Sequence, residues 1–341
     1  MISIIVLTYN QLDDCTKPCI ESIYEYTNIS DFELIVVDND SKDGTQEYLK
    51  DIESKHTNLK IILNITNKGY SAGNNDGIEA SKGDFVILLN NDTLVSKNWL
   101  ERILEPFSTD KKIGMVGPVS NSVGNEQKVN IDGLNDKNYN TKIVQYVIDN
   151  KDIVTTTQRL GFFCVAIKKS LIDEIGLLDE RFGIGMFEDD DYCLRATKND
   201  YKLVISDSCF IYHKGSVSFK KLTTDTYRQI FKENKNYFFE KHGVEWSYSD
   251  ILLGYLNYFT QKLNNQNLIY RKEDFKNLIL FLKDIEINSD VEAIGKLNNE
   301  LIEISDWAVD LKKDLDKQCK ELSVIRSNIW YRLLKKMRLV D

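Results

Sequence analysis

The chain has little of what marks a linker-rich, disulfide-bonded, membrane-spanning or nucleic-acid-binding protein. Its 341 residues include 3 prolines and 17 glycines, too few for long low-complexity linkers. Its 6 cysteines (Cys15, Cys19, Cys164, Cys193, Cys209 and Cys319) form no CxxC pair and no Cys/His group of metal-ligand spacing. Cys15 and Cys19 fall on one predicted helix and read as packing or surface residues rather than a bridge, which points to a reducing compartment. No apolar run approaches the ~20 residues that a membrane span needs. A net charge of −9 argues against nucleic acid as a partner, because that surface calls for a basic face. The chain opens on a strand pattern, Met1 to Leu7, with no basic leader and no cleavage site, so no signal peptide is expected.

What is present is a large apolar fraction, 42%, beside 28% charged residues, enough for a sizeable core and for two domains. The first half alternates strand and helix patterns. Strands are predicted over 2–7, 33–37, 59–63 and 84–89, each almost wholly apolar, as expected where both faces of a sheet are covered. Helices are predicted over 16–26 and 46–54, and a Gly/Asn-rich loop over 67–77 leads into a short helix at 78–80. This order implies an α/β fold with right-handed crossovers and a parallel sheet. Ligands of open α/β sheets bind at the carboxyl ends of the strands. The polar clusters Thr8-Tyr9-Asn10, Asp38–Asp43, Asn67–Asn75 and Asn90-Asn91-Asp92 all fall at or just beyond such ends.

Their chemistry suits a phosphorylated ligand. Asp92 follows an apolar strand, and hard cations such as Mg²⁺ or Mn²⁺ take one or two protein carboxylates plus phosphate oxygens. Asp38 can accept from a nucleobase N–H or from ribose hydroxyls. The plainer account of both is a turn or cap after a strand. The glycine stretch matches neither the dinucleotide fingerprint nor the P-loop. Further along, Glu188-Asp189-Asp190-Asp191 stands between Gly-Ile-Gly-Met-Phe187 and Tyr192-Cys-Leu-Arg195. Four acids opening a helix are stabilised by its free N–H groups and dipole. The alternative is a general base held in a cleft.

In this order the stretches resemble the inverting, family 2 glycosyltransferases of the GT-A fold. The matching segments are those ending at Asn10, Thr45, Asn75 and Asp92, then Gly161-Phe-Phe, Ile175–Phe182 running into Glu188–Arg195, and a late His213. The resemblance implies a Rossmann-like mixed sheet. It implies that Thr8, Tyr9, Asn10 and Asp38 hold the nucleoside, and that Lys68, Gly69, Asn74 and Asn91 line the nucleotide pocket. Asp92 would be the surviving member of an Asp-x-Asp metal motif, with His213 the second ligand to a divalent metal, Mn²⁺ or Mg²⁺. Glu188-Asp189 would be the acidic pair, Asp189 the base, with Asp191 as the displaced alternative. The implied donor is a nucleoside diphosphate sugar, a UDP-sugar such as UDP-GlcNAc, and the acceptor a hydroxyl of a glycan, a lipid-linked glycan or a protein. A catalytically weak sugar-nucleotide-binding relative and a dTDP-rhamnose-using transferase stay as alternatives. A nucleotidyltransferase would need a Gly-rich, basic phosphate loop where this chain has Thr8-Tyr-Asn-Gln-Leu12.

On this reading residues 1–245 form the catalytic domain and 246–341 a helical, coiled-coil region. Between 294 and 329 apolar residues recur at spacings of three and four, about five heptads, with Gln318 the polar exception. Such a seam predicts a homo-oligomer, unless the helix lies on its own catalytic domain. The basic amphipathic stretch from Arg326 to Arg338 suits an anionic membrane surface or a solvated helix end. The expected location is cytoplasmic, with peripheral contact at the inner face of the membrane.

Overall fold

The computed structural model describes residues 1–215, 223–247 and, within 250–262, positions 250, 251, 254, 255, 257, 258, 261 and 262. The strands are β1 (Ile2–Thr8), β2 (Phe32–Asp38), β3 (Leu59–Leu63), β4 (Phe85–Asn90), β5 (Thr93–Val95), β6 (Ile113–Val119), β7 (Val154–Thr157), β8 (Cys164–Lys168) and β9 (Lys202–His213). The helices are α1 (Lys17–Tyr26), α2 (Thr45–Glu53), α3 (Gly69–Ala80), α4 (Trp99–Leu104), α5 (Pro106–Thr109), α6 (Tyr139–Lys142), α7 (Val144–Asp149), α8 (Lys169–Ile175), α9 (Glu188–Lys198) and α10 (Thr224–His242).

The sheet runs β3-β2-β1-β4-β8-β6-β9-β5, with β7 on β9. The first four strands are parallel, as the alternating pattern predicts. Beyond them the sheet is mixed: β8 runs antiparallel to both β4 and β6, and β7 and β5 antiparallel to β9. Successive residues of the central strands enter different cores. Ile4, Val6, Leu34, Val36, Ile87 and Leu89 pack on one face with α1 and α4. Ile5, Ile35, Val37, Val86 and Leu88 pack on the other with α3, α8 and α9. A strand buried on both faces reads as an unbroken apolar run, which is how β1, β2 and β4 are written.

One predicted element is corrected. The Gly/Asn-rich stretch is not a loop before a short helix; it is helix α3 from Gly69 onward. Its glycines recur every fourth residue, and Gly73 and Gly77 form the face laid on β1. A Cβ at Gly73 would stand 2.4 Å from Leu7 and one at Gly77 2.4 Å from Ile5. Close approach to the strand outweighs the poor helix propensity of glycine.

Two features of register build the site. Thr8 pairs with Asp38 and Leu7 with Asn90, so the carboxyl ends of β1, β2 and β4 stand side by side. On the far side, Thr93 pairs with His213, and Lys214 N–H donates to the Asp92 carbonyl at 2.9 Å. Residues far apart in sequence thus meet at one edge. All five described cysteines are buried and no disulfide joins them; Cys19 and Cys209 face backbone carbonyls instead. Among the described residues no helix is long and apolar enough to cross a membrane. Trp246, Tyr255, Tyr258 and Lys262 pack on the same body as the sheet, through Asp190, Asn125 and Asp207. The heptad seam 294–329 and the basic stretch 326–338 lie outside the described residues.

Candidate active site

A cleft of about 580 Å³ opens at this edge. One wall is Leu7, Thr8, Tyr9 and Asn39 with Gly69 and Tyr70; the floor is Asn90, Asn91 and Asp92. The remaining lining comes from Ser122 to Gly124, Lys128, Gly161 to Phe163, Ile184, Glu188, Asp189 and His213. Of the residues singled out in the sequence, Thr8, Tyr9, Gly69, Asn91, Asp92, Glu188, Asp189 and His213 meet here.

Asp92 and His213 form the tightest constellation. His213 Nδ1 lies 2.6 Å from the Ser122 carbonyl, which only accepts, so Nδ1 carries a proton. Nε2 then faces Asp92 Oδ1 at 3.2 Å. With the imidazole neutral these are two acceptors in contact, an arrangement stable only around a shared cation, either a proton or a metal. Asn121 grips the His213 backbone, accepting from its N–H and donating to its C=O, both at 2.9 Å, and Phe163 stacks on the ring. Among the described residues no group of three or more His, Cys, Asp or Glu side chains converges as a metal cage. A pair of protein ligands fits a hard cation that takes its remaining oxygens from phosphate and water. The floor is held by Asn91, whose Nδ2 donates to Thr8 Oγ1 and Thr16 Oγ1 at 3.2 and 3.0 Å.

The acidic run opens α9 as predicted, and its members face different ways. Glu188 is 8% exposed, and its Oε2 is buried without a hydrogen-bond partner. Burial, then the neighbouring Asp189 charge, pushes its pKa well up. Asp189 also lines the cleft, and burial followed by the Asp190 charge raises it to about 7. That value suits a base working at neutral pH. Asp191 turns away. Its fully buried carboxylate is taken by Arg195 at 2.9 Å, Lys241 at 2.6 Å and His242 at 2.7 Å. Asp191 is therefore a tie between α9 and α10 rather than the base. Removing one member of a buried ion network costs about 3–5 kcal/mol. Asp191→Ala should lower the urea midpoint accordingly with the m-value unchanged, a loss that an exposed carboxylate would not show.

The turn before α9 aims these acids. Met186 and Phe187 are both left-handed, at φ 78° and 73°. Consecutive non-glycine residues in this region are strained and persist only where the surroundings impose them. Asn234 of α10 supplies the restraint, with Nδ2 within 3.1 Å of the carbonyls of Phe182, Gly185 and Met186. On the other side a Cβ at Gly69 would lie 2.2 Å from the Gly183 carbonyl, so the turn rests directly on the start of α3.

Four further predicted residues stand behind the wall. Asp38 is buried; Oδ2 accepts from Ser41 N and Gln46 Nε2 at 3.0 and 2.8 Å, and Oδ1 has no partner. Asn10 Oδ1 accepts from Lys42 N at 2.8 Å. Lys68 pairs with Asp76 at 2.8 Å, and Asn74 Nδ2 donates to the Tyr70 carbonyl at 3.0 Å. Sequence reasoning missed Asn121, Ser122, Lys128, Asn234 and Arg159. Each comes from a segment without a local motif; the fold brings Ser122 and Lys128 into the cleft lining and sets Asn121, Asn234 and Arg159 against His213, the turn before α9 and Asp190.

The model for glycosyl transferase family 2 matches residues 3–176. The chain belongs to that family. This family 2 chain is 26% identical over 294 residues to an uncharacterized protein of Sinorhizobium fredii, covering 81% of the chain and 30% of that protein. It is 34% identical over 108 residues to a glycosyltransferase of Haloferax volcanii, covering 31% of the chain and 35% of that protein. The chain thus spans about a third of the length of these two relatives. An uncharacterized glycosyltransferase of Methanocaldococcus jannaschii is 21% identical, covering 72% of the chain and 79% of that protein. In fold, the family 2 chain is similar to a Pyrobaculum calidifontis mannosyltransferase solved with GDP-Man and Mn²⁺. That match has a TM-score of 0.53 and 15% identity, covering 98% of this chain and 83% of the other. It is also similar to GalNAc-T7 with UDP, GalNAc and Mn²⁺, with a TM-score of 0.52 and 17% identity, covering 77% and 54%. The mixed sheet is thus the GT-A arrangement.

Proposed function

We propose that this protein transfers a sugar from a nucleoside diphosphate sugar to an acceptor hydroxyl in one displacement, with inversion at the anomeric carbon. The observation that carries the reading is one cleft with Asp189, raised to about 7, in one wall and the Asp92–His213 pair at its end. Thr8, Tyr9, Gly69 and Asn91 bound the nucleoside side, and Asp38 supports it from behind by holding the turn after β2 through Ser41 N and Gln46 Nε2. Lys68, Asn74 and Asn10 act indirectly, by fixing α3 and the turn after β2. Asp92 and His213 would hold a divalent cation, Mn²⁺ or Mg²⁺, which when bound offsets the charge of a diphosphate. The GT-A structures solved with nucleotide and Mn²⁺ support that assignment.

Asp189 takes the proton of the attacking hydroxyl, and its raised pKa makes it a better base than an exposed carboxylate. Glu188, whose proton affinity burial raises, lines the same wall with its Oε2 free of any protein partner, and would meet a sugar hydroxyl there. Tyr70 donates to the Phe162 carbonyl at 2.7 Å and keeps the wall closed beside both acids. A second carboxylate nucleophile is not required, since a single displacement suffices.

The donor we assign is a UDP-sugar, a hexose or N-acetylhexosamine, and the acceptor a surface glycan, a lipid-linked glycan or a protein hydroxyl. The test is release of nucleoside diphosphate from a donor panel of UDP-GlcNAc, other UDP-hexoses, GDP-mannose and dTDP-rhamnose in Mn²⁺ buffer. Release from a UDP-sugar is expected. Binding of a donor with no turnover by any of them would favour the alternative, a sugar-nucleotide-binding relative, which the single carboxylate of Asn90-Asn91-Asp92 makes the second reading.

A further inference from the structure

Beside the base stands a carboxylate that the reaction above does not use. Asp190 Oδ2 accepts from Trp246 Nε1 at 2.7 Å, and Oδ1 lies 3.4 Å from Arg159 Nε. Its backbone N–H donates to Asp189 Oδ1 at 2.9 Å, and the two carboxyl groups are sequence neighbours in the first turn of α9. The brace is itself fixed. Arg159 lies over the Trp246 ring at 5.7 Å and reaches Asp250 Oδ2 at 3.4 Å. Trp246 packs edge-on against Phe187 and Phe231, with centroids 5.3 and 5.5 Å away.

We propose that Asp190, braced by Arg159 and by Trp246 from the segment after α10, is the positioning residue that sets the proton affinity of Asp189. The proposal rests on the reading of Asp189 as the base. Burial raises the Asp190 pKa, and the Arg159 guanidinium and then the Trp246 indole N–H oppose that rise by favouring the ionised form. A carboxylate so held, one residue from a second carboxyl, opposes ionisation of that neighbour. The other groups facing Asp190 are Glu188, Asp189 and the Cys193 thiol on α9, Asp250 beyond α10 and Glu126 from the loop after β6; Lys235 of α10 stands 5.9 Å from the Trp246 ring centre. Of these acids Asp190 is the one whose carboxylate both accepts from Trp246 Nε1 and faces Arg159 Nε, next to Asp189 in the chain. The raised proton affinity of Asp189, due to burial and then to Asp190, agrees with this arrangement. The Phe187-Glu-Asp-Asp-Asp-Tyr192 run therefore divides its work: Asp189 reacts, Asp190 tunes, and Asp191 fastens the helix.

The test is the pH dependence of kcat/KM for donor turnover by the full chain, using the donor that the release panel selects. A base must be deprotonated, so kcat/KM rises with pH, with a midpoint near the Asp189 value of about 7. Asp190→Asn should move that midpoint down by about 1 unit, so that at pH 6 the variant runs roughly five-fold closer to its own plateau. Trp246→Phe removes the N–H and keeps a smaller aromatic ring against Phe187 and Phe231. Asp190 then takes up a proton more readily, and the midpoint moves the same way by less. If Asp190→Asn does not fold, Trp246→Phe carries the test. Midpoints unchanged from the parent, with Asp189→Asn inactive, overturn this inference and leave the base in place. An active Asp189→Asn overturns the base itself.

Discussion

Asp189→Asn lowers transfer by at least ~10²-fold while the chain still binds its donor, the scale expected when a general base is lost. The amide keeps the shape of the side chain and can still accept from Asp190 N–H, so the α9 turn has no reason to move. What disappears is the site that takes the proton of an acceptor hydroxyl. Calorimetry with the donor in Mn²⁺ buffer and single-turnover rates of transfer read the two effects separately. The useful companion is Asp191→Asn. Its carboxylate is fully buried among Arg195, Lys241 and His242, so it should lose stability and keep the chemistry of whatever folded protein remains. The opposite pattern, Asp189→Asn active and Asp191→Asn dead, would place the base two residues on.

Asp92→Ala should weaken donor binding about 10-fold or more in Mn²⁺ buffer and leave it nearly unchanged in EDTA, since a hard cation with few protein ligands depends heavily on each. The same split is expected for His213→Ala, because the Ser122 carbonyl holds the ring with Nε2 on Asp92. Titration of Mn²⁺ into each variant, followed by its paramagnetic resonance signal, reads the ligand loss without turnover. Equal losses of donor affinity with and without metal would show that Asp92 contacts the donor directly.

Much of this site could be read before the fold was known. The strands ending at Thr8, Asp38 and Asn90 are buried on both faces, so their apolar runs and the polar residues that stop them are visible in the sequence. The acids of α9 were equally visible, though not their division of labour, which depends on what approaches from α10 and beyond. Helix α3 was misread because its glycines and asparagines have poor helix propensity; close packing on Leu7 and Ile5 decides its structure. The His213–Asp92 contact follows from the β5–β9 register, which no local pattern announces. Asn121, Asn234 and Arg159 act through backbone groups or distant carboxylates, and such partners leave no periodic mark.

The account stands or falls on a single displacement driven by one base. The most direct measurement follows hydrolysis of an α-linked donor, with water as the acceptor, in D₂O by proton NMR and identifies the anomer of the free sugar that appears first, before mutarotation mixes the two. A single displacement predicts the β-anomer first, at a rate that falls with Asp189→Asn. The α-anomer first would require a second nucleophile or a front-face path, and would contradict the role given to Asp189.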